Sequence, residues 1–398
     1  MLEEVVTILM YVIAFLTLYI TIFYLLLTIE KKDEIKEKAA GVYTPPITVI
    51  IPCYNEEGVI TKTVSVLMKS DYPKKNLKVF LVDDGSTDNT FQEMKTLEKK
   101  YKGNVKAFSK KNGGKSSAIN YGIMRARTEL IATLDSDSYV HVKSLKKMTS
   151  FFKDSTVMAA TSAIKVYKPK KIIEKVQHVE YLLTIVSRRL LSFLDSVTVT
   201  PGPLSVFRRS VFKKVGLFDE TSLLEDQEIA YRIQAHNYKI VSSLNASVWT
   251  EVPRTFKALI RQRVRWNRGG LRNYWKYKKI LSPRYGDFGV IIFPLGLIGS
   301  IAVLAVFFIS LVSLLNGSAF QFFQYGFKVF YYGFNALQVI SLIIFTLSVL
   351  WIWVASKHLK EKMNPISIAL YLVFYSFLIT IFWIVTIGEE LSFRKQRW

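Results

Sequence analysis

Leu130-Ile131-Ala132-Thr133-Leu134-Asp135-Ser136-Asp137 decides how this chain is read. The five-residue apolar run has the character of a strand buried on both faces of a parallel sheet. Asp135 and Asp137 end it, and alternate residues of an extended chain share a side. Two carboxylates so placed can hold Mg²⁺ or Mn²⁺ together with the oxygens of a diphosphate. Alone, the pair reads more simply as a turn with helix-capping aspartates. The balance shifts because the same pattern occurs three times upstream. Ile47 to Ile51 is a β-branched run leading to Tyr54-Asn55-Glu56, with a helix predicted from Glu56 to Ser70. Leu77 to Val82 stops at Asp83-Asp84-Gly85-Ser86, before a helix from Asn89 to Tyr101. Val105 to Phe108 runs into Lys111-Asn112-Gly113-Gly114-Lys115, before a helix from Ser116 to Arg127. Strands alternating with helices imply an open parallel sheet, and such sheets bind ligands beyond the carboxyl ends of their strands. All four polar clusters fall on that rim, which turns alone do not explain.

Each cluster has a chemistry. Asp83-Asp84-Gly85-Ser86 is a good turn sequence, and it can also accept the imide N–H of a uracil with Tyr54 stacking nearby. Lys115 follows two glycines and can reach a diphosphate. The loop is not the phosphate loop of a mononucleotide-binding ATPase, because Ser109 stands where that motif needs glycine.

Outward from this core, Val157 to Val166 reads as a further strand and Lys171 to Leu194 as an amphipathic helix. That helix carries Arg188-Arg189 among leucines and suits either a membrane surface or the face of the sheet. Pro201-Gly202-Pro203-Leu204 follows. Leu223-Leu224-Glu225-Asp226 opens a helix to Ala235, where Asp226 can take a proton from an attacking hydroxyl or simply complement the helix N-terminus. A helix from about Arg254 to Trp275 carries Gln262, Arg265 and Trp266 on one face by their i, i+3, i+4 spacing. An indole there can stack on a sugar ring and a guanidinium can meet a phosphate; interface anchoring is the plainer use of such residues beside a membrane.

Composition bounds the class. The chain has 398 residues, 50% of them apolar, and a formal net charge of +23. Of its 54 Lys and Arg, 47 lie between Glu30 and Arg284 against 25 of its 31 Asp and Glu, so one block holds nearly all the positive charge. Such a block suits an anionic substrate or anionic headgroups. Nucleic acid is not an expected partner, since no base-reading motif accompanies the charge. Cys53 is the single cysteine, which excludes a disulfide or a cysteine metal site. Val5 to Leu27 is long and apolar enough to cross a bilayer and lacks a small-residue cleavage site. Lys31-Lys32 after it place residue 30 onward in the cytoplasm. Phe288 to Leu315, Val339 to Val354 and Ile366 to Ile387 are further spans. Phe320 to Phe334 reads as interfacial or re-entrant. Three C-terminal spans put the tail outside, whereas its basic residues favour the cytoplasm. The expected organisation is a membrane helix at 1–29, a linker at 30–46, a cytoplasmic catalytic domain at 47–285, a membrane region at 286–392 and a basic tail at 393–398, in a multi-pass protein of the cell membrane.

Taken in order, Tyr54-Asn55-Glu56, Asp83-Asp84-Gly85-Ser86, Asn112 to Lys115, Asp135-Ser136-Asp137, Glu225-Asp226 and Gln262 to Trp266 resemble the motifs of glycosyltransferase family 2. The likeness is narrower to its membrane-embedded processive polysaccharide synthases. It covers about Ile47 to Trp275, and Gly202 to Arg209 is especially similar to the hyaluronan and chitin-oligosaccharide group. The resemblance implies an α/β GT-A fold, Rossmann-like with a mostly parallel sheet, fused to transmembrane helices. It implies a UDP-sugar donor bound by Tyr54, Glu56, Asp84, Lys115, Asp135 and Arg265. It implies Mg²⁺ or Mn²⁺ at Asp137 with Asp135, an acceptor held by Glu225, Gln262 and Trp266, and Asp226 as general base. Leu224 departs from the Thr or Gly that often precedes the Glu-Asp or Asp-Asp pair, which leaves the acceptor subclass open. The expected function is inverting polymerisation of a UDP-sugar, first UDP-GlcNAc and conceivably alternating with UDP-GlcA, with the spans as a polymer channel. The alternative is transfer of one sugar to a membrane lipid. Membrane lipids are expected partners, and a homo-oligomer is compatible with either reading.

Overall fold

The computed structural model describes residues 2–37, 41–315 and 336–392. The expected segment Phe320 to Phe334 and the tail at 393–398 lie outside the described residues.

Eight strands form one mixed sheet in the order β3-β2-β1-β4-β7-β6-β8-β5. β1 (Ile47–Cys53), β2 (Leu77–Asp83), β3 (Val105–Ser109) and β4 (Leu130–Thr133) are the four apolar runs, and they pair in parallel. β1 buries nearly every residue on both faces because helices cover both sides. α2 (Ile60–Met68), α3 (Thr90–Lys100) and α5 (Ser144–Ser150) pack on one face through Val64, Leu67, Met94, Leu97 and Met148. α4 (Lys115–Arg125), α7 (Arg209–Val215) and α8 (Glu225–Ala235) cover the other through Ile119, Ile123, Phe212 and Ile229.

The parallel expectation stops at β4. β7 (Ser205–Arg208) inserts antiparallel between β4 and β6 (Val157–Val166). β8 (Lys239–Thr250) runs parallel to β6 with shifts of register, and β5 (Ser138–Val140) adds antiparallel to β8. The helix expected from Glu56 begins only at Ile60. The backbone N–H groups of Glu56, Glu57 and Gly58 donate to the side chains of Thr90 (2.7 Å), Asp88 (3.2 Å) and Glu93 (2.8 Å), which holds this segment as a turn.

Two long helices form the membrane-side floor. α6 (Ile172–Leu191) packs between β6, β8 and the apolar helices, so Arg188 and Arg189 are buried rather than spread on a lipid surface. α9 (Phe256–Lys276) is the expected 254–275 helix, started by Thr255, whose hydroxyl accepts from the Ala258 N–H. α1 (Leu2–Glu30), the segment Phe288–Ala305 within and before α10 (Phe293–Leu315), and α11 (Ala336–Leu359) are long and apolar enough to cross a membrane. α12 (Pro365–Leu391) is bent by 43°. Both of its flanks are tied to the soluble half. Before it, Glu361 pairs with Lys165 of β6 at 2.7 Å; at its end Glu389 meets Arg268 and Glu390 meets Arg272, each at 3.0 Å. The charged segment after α1 is also fastened: Ile35 is buried and Glu37 accepts from Ser243 and the Leu244 backbone.

Candidate active site

The rim of the sheet brings most of the expected residues together. Lys115 is the first residue of α4, after Gly114, whose φ of +89° suits a residue without a side chain. Its ammonium meets Asp135 at 2.7 Å and Glu225 at 3.3 Å. It thereby joins the strand-end aspartates to the start of α8. Burial alone would lower its pKa, yet Asp135, Glu225 and Asp226 together drive it far upward, so Lys115 is fixed as a cation.

Asp135 sits against the backbone of Gly202, where any Cβ would run into its carboxylate. Asp137 accepts from the Ser138 hydroxyl at 3.3 Å. Burial raises its pKa, and the charges of Asp135 and Glu56 raise it further. Glu56 is likewise raised, by burial and then by Asp135 and Asp88, against a hydrogen bond from Ser136. Like charges drawn together in this way favour a cation among them. Among the described residues no group of three or more acidic, His or Cys side chains forms a complete cage. The donor set therefore fits an ion held by one or two carboxylates and completed by substrate phosphate oxygens.

Asp226 opens α8 beside Glu225. Its carboxylate accepts from the Gln227 N–H at 2.8 Å, and its carbonyl accepts from the N–H and the hydroxyl of Thr200, each at 3.0 Å. Burial and the neighbouring Glu225 push its pKa up to about 7, while Lys115 and Arg265 pull the other way. A carboxyl poised near neutrality suits a general base.

Lys115, Asp135, Asp137, Glu225 and Asp226 line one cavity of about 540 Å³. Gln262, Arg265 and Trp266 of α9 line it too. α9 comes close to the base because Gly269 rests on Leu224, where a side chain would clash. Tyr274, Ser300 of α10 and Trp383 of α12 also line it, so the apolar helices contribute to its wall.

Three expected donor residues lie apart from this cavity. Tyr54 is exposed at the rim. Glu56 faces Ser136 and Asp135 from the side. Asp84 is buried, and its carboxylate accepts from Lys110 (2.6 Å) and from the N–H groups of Gly113 (3.1 Å) and Gly114 (2.7 Å). Its visible task is to shape the loop that presents Lys115.

The sequence gives no site role to Arg263 or to the cavity-lining face of α6. Both oxygens of Glu180 accept from Arg263, at 2.8 and 2.6 Å, and the same guanidinium lies 4.2 Å from the Trp266 ring centroid. This pairing orients the indole. Glu180, Tyr181, Thr184 and Arg188 contribute a second wall of the cavity. Their i, i+1, i+4, i+8 spacing was visible, but nothing in the sequence set this face of α6 against α9.

A family model described as Glycosyltransferase like family 2 matches residues 45–269. The chain belongs to glycosyltransferase family 2. Among its relatives is a poly-beta-1,6-N-acetyl-D-glucosamine synthase of Staphylococcus epidermidis, 26% identical over 345 residues that cover 85% of this chain and 80% of that protein. A protein of the same name from Staphylococcus aureus (strain MSSA476) is 30% identical over 239 residues, 58% of this chain and 57% of that one. A solved mannosyltransferase from Pyrobaculum calidifontis, in complex with GDP-Man and Mn²⁺, superposes with a TM-score of 0.65 over 97% of this chain and 100% of its own. At 17% identity that likeness shows the fold alone, a GT-A domain with apolar helices at the N-terminus and in the C-terminal region. The family 2 protein is a glycosyltransferase built for the membrane, with its acidic pairs on the rim of the sheet.

Proposed function

We propose that this family 2 enzyme polymerises a UDP-activated sugar, UDP-GlcNAc in the first place, into a β-linked polysaccharide and passes the product toward the membrane. The carrying observation is the cavity, which is lined by Asp135, Asp137 and Asp226 and also by Ser300 and Trp383 of the apolar helices. The name of the Staphylococcus relatives supports the choice of sugar.

In this reading Tyr54 and Glu56 contact the donor from the rim, and Asp84 serves it by shaping the loop. Lys115 and Arg265 face the diphosphate. Asp137 and Asp135 hold Mg²⁺ or Mn²⁺, which when bound neutralises charge on the leaving UDP. Trp266 stacks on the acceptor sugar while Gln262 and Glu225 grip its polar edge, which aligns the acceptor hydroxyl. Asp226 takes the hydroxyl proton as the oxygen bonds to the anomeric carbon from the face opposite UDP and the bond to UDP breaks. The anomeric configuration inverts. The ties at both flanks of α12 support keeping the end of that helix on the side of the catalytic domain.

A second reading, one sugar added to a membrane lipid, is favoured by the same opening toward Ser300 and Trp383, which a lipid-linked acceptor also reaches. The test is UDP release by purified protein with Mn²⁺ or Mg²⁺, offering UDP-GlcNAc, UDP-GlcA and UDP-Glc singly and in pairs. Release from UDP-GlcNAc alone is expected. A strict need for UDP-GlcA as well would replace the homopolymer with an alternating one, and release only after a lipid is added would favour the second reading.

A further inference from the structure

The α6 wall of the cavity holds an arginine that the chemistry above leaves unused. Tyr181, Thr184, Ile185 and Arg188 follow the i, i+3, i+4, i+7 spacing of one helix face, and all four line the cavity. Arg188 is only 7% exposed, and its Nε and Nη1 have no hydrogen-bond partner among the described residues. Neighbouring arginines have only Nε unpartnered among the described residues and engage their terminal nitrogens. Arg189 donates to the carbonyls of Ser242 (3.2 Å) and Glu34 (2.9 Å), and Arg263 to both oxygens of Glu180. Buried guanidinium N–H groups without an acceptor are strongly unfavourable, so an oxygen brought in by a bound molecule fits there. Burial draws the Arg188 pKa down to about 10, against the opposing pull of Asp226, which lines the same cavity.

A second unpartnered group belongs to a residue that lines the same cavity. Gln262 Oε1, on α9, is buried and receives no hydrogen bond among the described residues. One wall thus offers donors and the other an acceptor. A secondary amide presents the complement, a carbonyl oxygen and an N–H pointing opposite ways. The charge balance favours such a neutral group over a phosphate. Six carboxylates, Asp226 among them, already line the cavity against four cations, and a phosphate would add further negative charge there.

We propose that Arg188 sets acceptor specificity by donating to the N-acyl carbonyl oxygen of the acceptor sugar, while the N–H of that amide meets Gln262 Oε1. The proposal rests on the reading that a GlcNAc unit is the acceptor.

The full chain in detergent is given UDP-GlcNAc and two neutral acceptors differing only at C2, octyl β-N-acetylglucosaminide and octyl β-glucoside. The ratio of their kcat/KM values is compared in the wild type, Arg188→Gln and Arg188→Lys. This ratio does not depend on how much of a variant is folded. The wild type should favour the N-acyl acceptor by about tenfold or more, the scale of a hydrogen bond to a charged group. Arg188→Gln should bring the ratio to about one, through the acceptor KM rather than the donor KM, with Arg188→Lys between. An unchanged ratio in Arg188→Gln overturns the proposal while leaving the sugar-acceptor reading intact. Transfer by the wild type to neither glycoside, but to added polyprenyl phosphate, overturns the reading and this proposal together. Loss of that lipid transfer in Arg188→Gln would assign the guanidinium to a phosphate instead.

Discussion

The rim of the sheet and the α6–α9 wall of the cavity, to which we assign donor and acceptor, are built by different means. On the rim, Asp135 and Asp137 sit where β4 ends, and Lys115 sits where α4 begins. Their positions follow from strand register and helix start, with backbone N–H groups of Gly113 and Gly114 fixed on Asp84. On the wall, Trp266 and Arg188 are placed by helices that meet only in three dimensions. Side-chain pairs far apart in sequence join them: Arg263 with Glu180, Arg268 with Glu389 and Lys165 with Glu361. The first joins α9 to α6, the second ties α9 to the end of α12, and the third ties β6 to the segment before α12. The rim is therefore a local device with tight steric tolerances. The wall is a non-local one whose geometry depends on how the membrane helices dock.

The largest effect should come where the two regions meet. Asp226→Asn keeps the size of the base and removes its function, so kcat should fall by about 10²–10⁴-fold, with a smaller change in donor KM. Next is the rim's steric limit. Gly202→Ala places a methyl group where the Asp135 carboxylate lies, and transfer should drop by about 10²-fold from misplacement of reacting groups, while the melting temperature of the protein changes little. A pH profile sharpens the same point. Because Asp226 must be ionised to accept a proton and its pKa is raised to about 7, kcat/KM should fall on the acid side below neutrality. An acid limb near pH 4 would mean an unperturbed carboxylate and would break the assignment.

The wall should respond in stability before chemistry. Arg263→Ala leaves the half-buried Glu180 without its guanidinium partner. The pair is 7% and 19% exposed, so a loss of about 3–5 kcal/mol is expected in thermal or denaturant unfolding. Trp266 should lose its fixed environment at the same time, read by its fluorescence. The smallest effect is reserved for Glu361→Gln, whose carboxylate is a third exposed, at about 0.2–1 kcal/mol and little change in turnover.

This division also separates what the sequence disclosed from what it hid. β1 to β4 were legible because each is an apolar run closed by a polar cluster, and the cluster is the rim. β7 was not, because Ser205–Arg208 is four residues long and finds its partners β4 and β6 at distant points of the chain. β8 was missed because Ser242, Ser243 and Asn245 break the apolar pattern; its strand character comes from pairing with β6. Asp226, Lys115 and Trp266 were readable as members of ordered motifs. Glu180 and Arg188 were not, since the two arginines amid leucines look alike in the sequence. Only packing sends Arg189 to backbone carbonyls and Arg188 into the cavity. Leu224 looked like a departure from pattern, and the structure gives it a place against Gly269.

The central claim is that one chain both forms the glycosidic bond and delivers repeated additions along a cavity leading to the membrane helices. Its most direct test is the size of the product made by purified full-length protein given only UDP-GlcNAc and Mn²⁺ or Mg²⁺, resolved on a gel. A ladder extending to long chains, lost in Asp226→Asn, is the result expected. A product that stays one sugar long on a lipid, however much donor is consumed, would contradict the account.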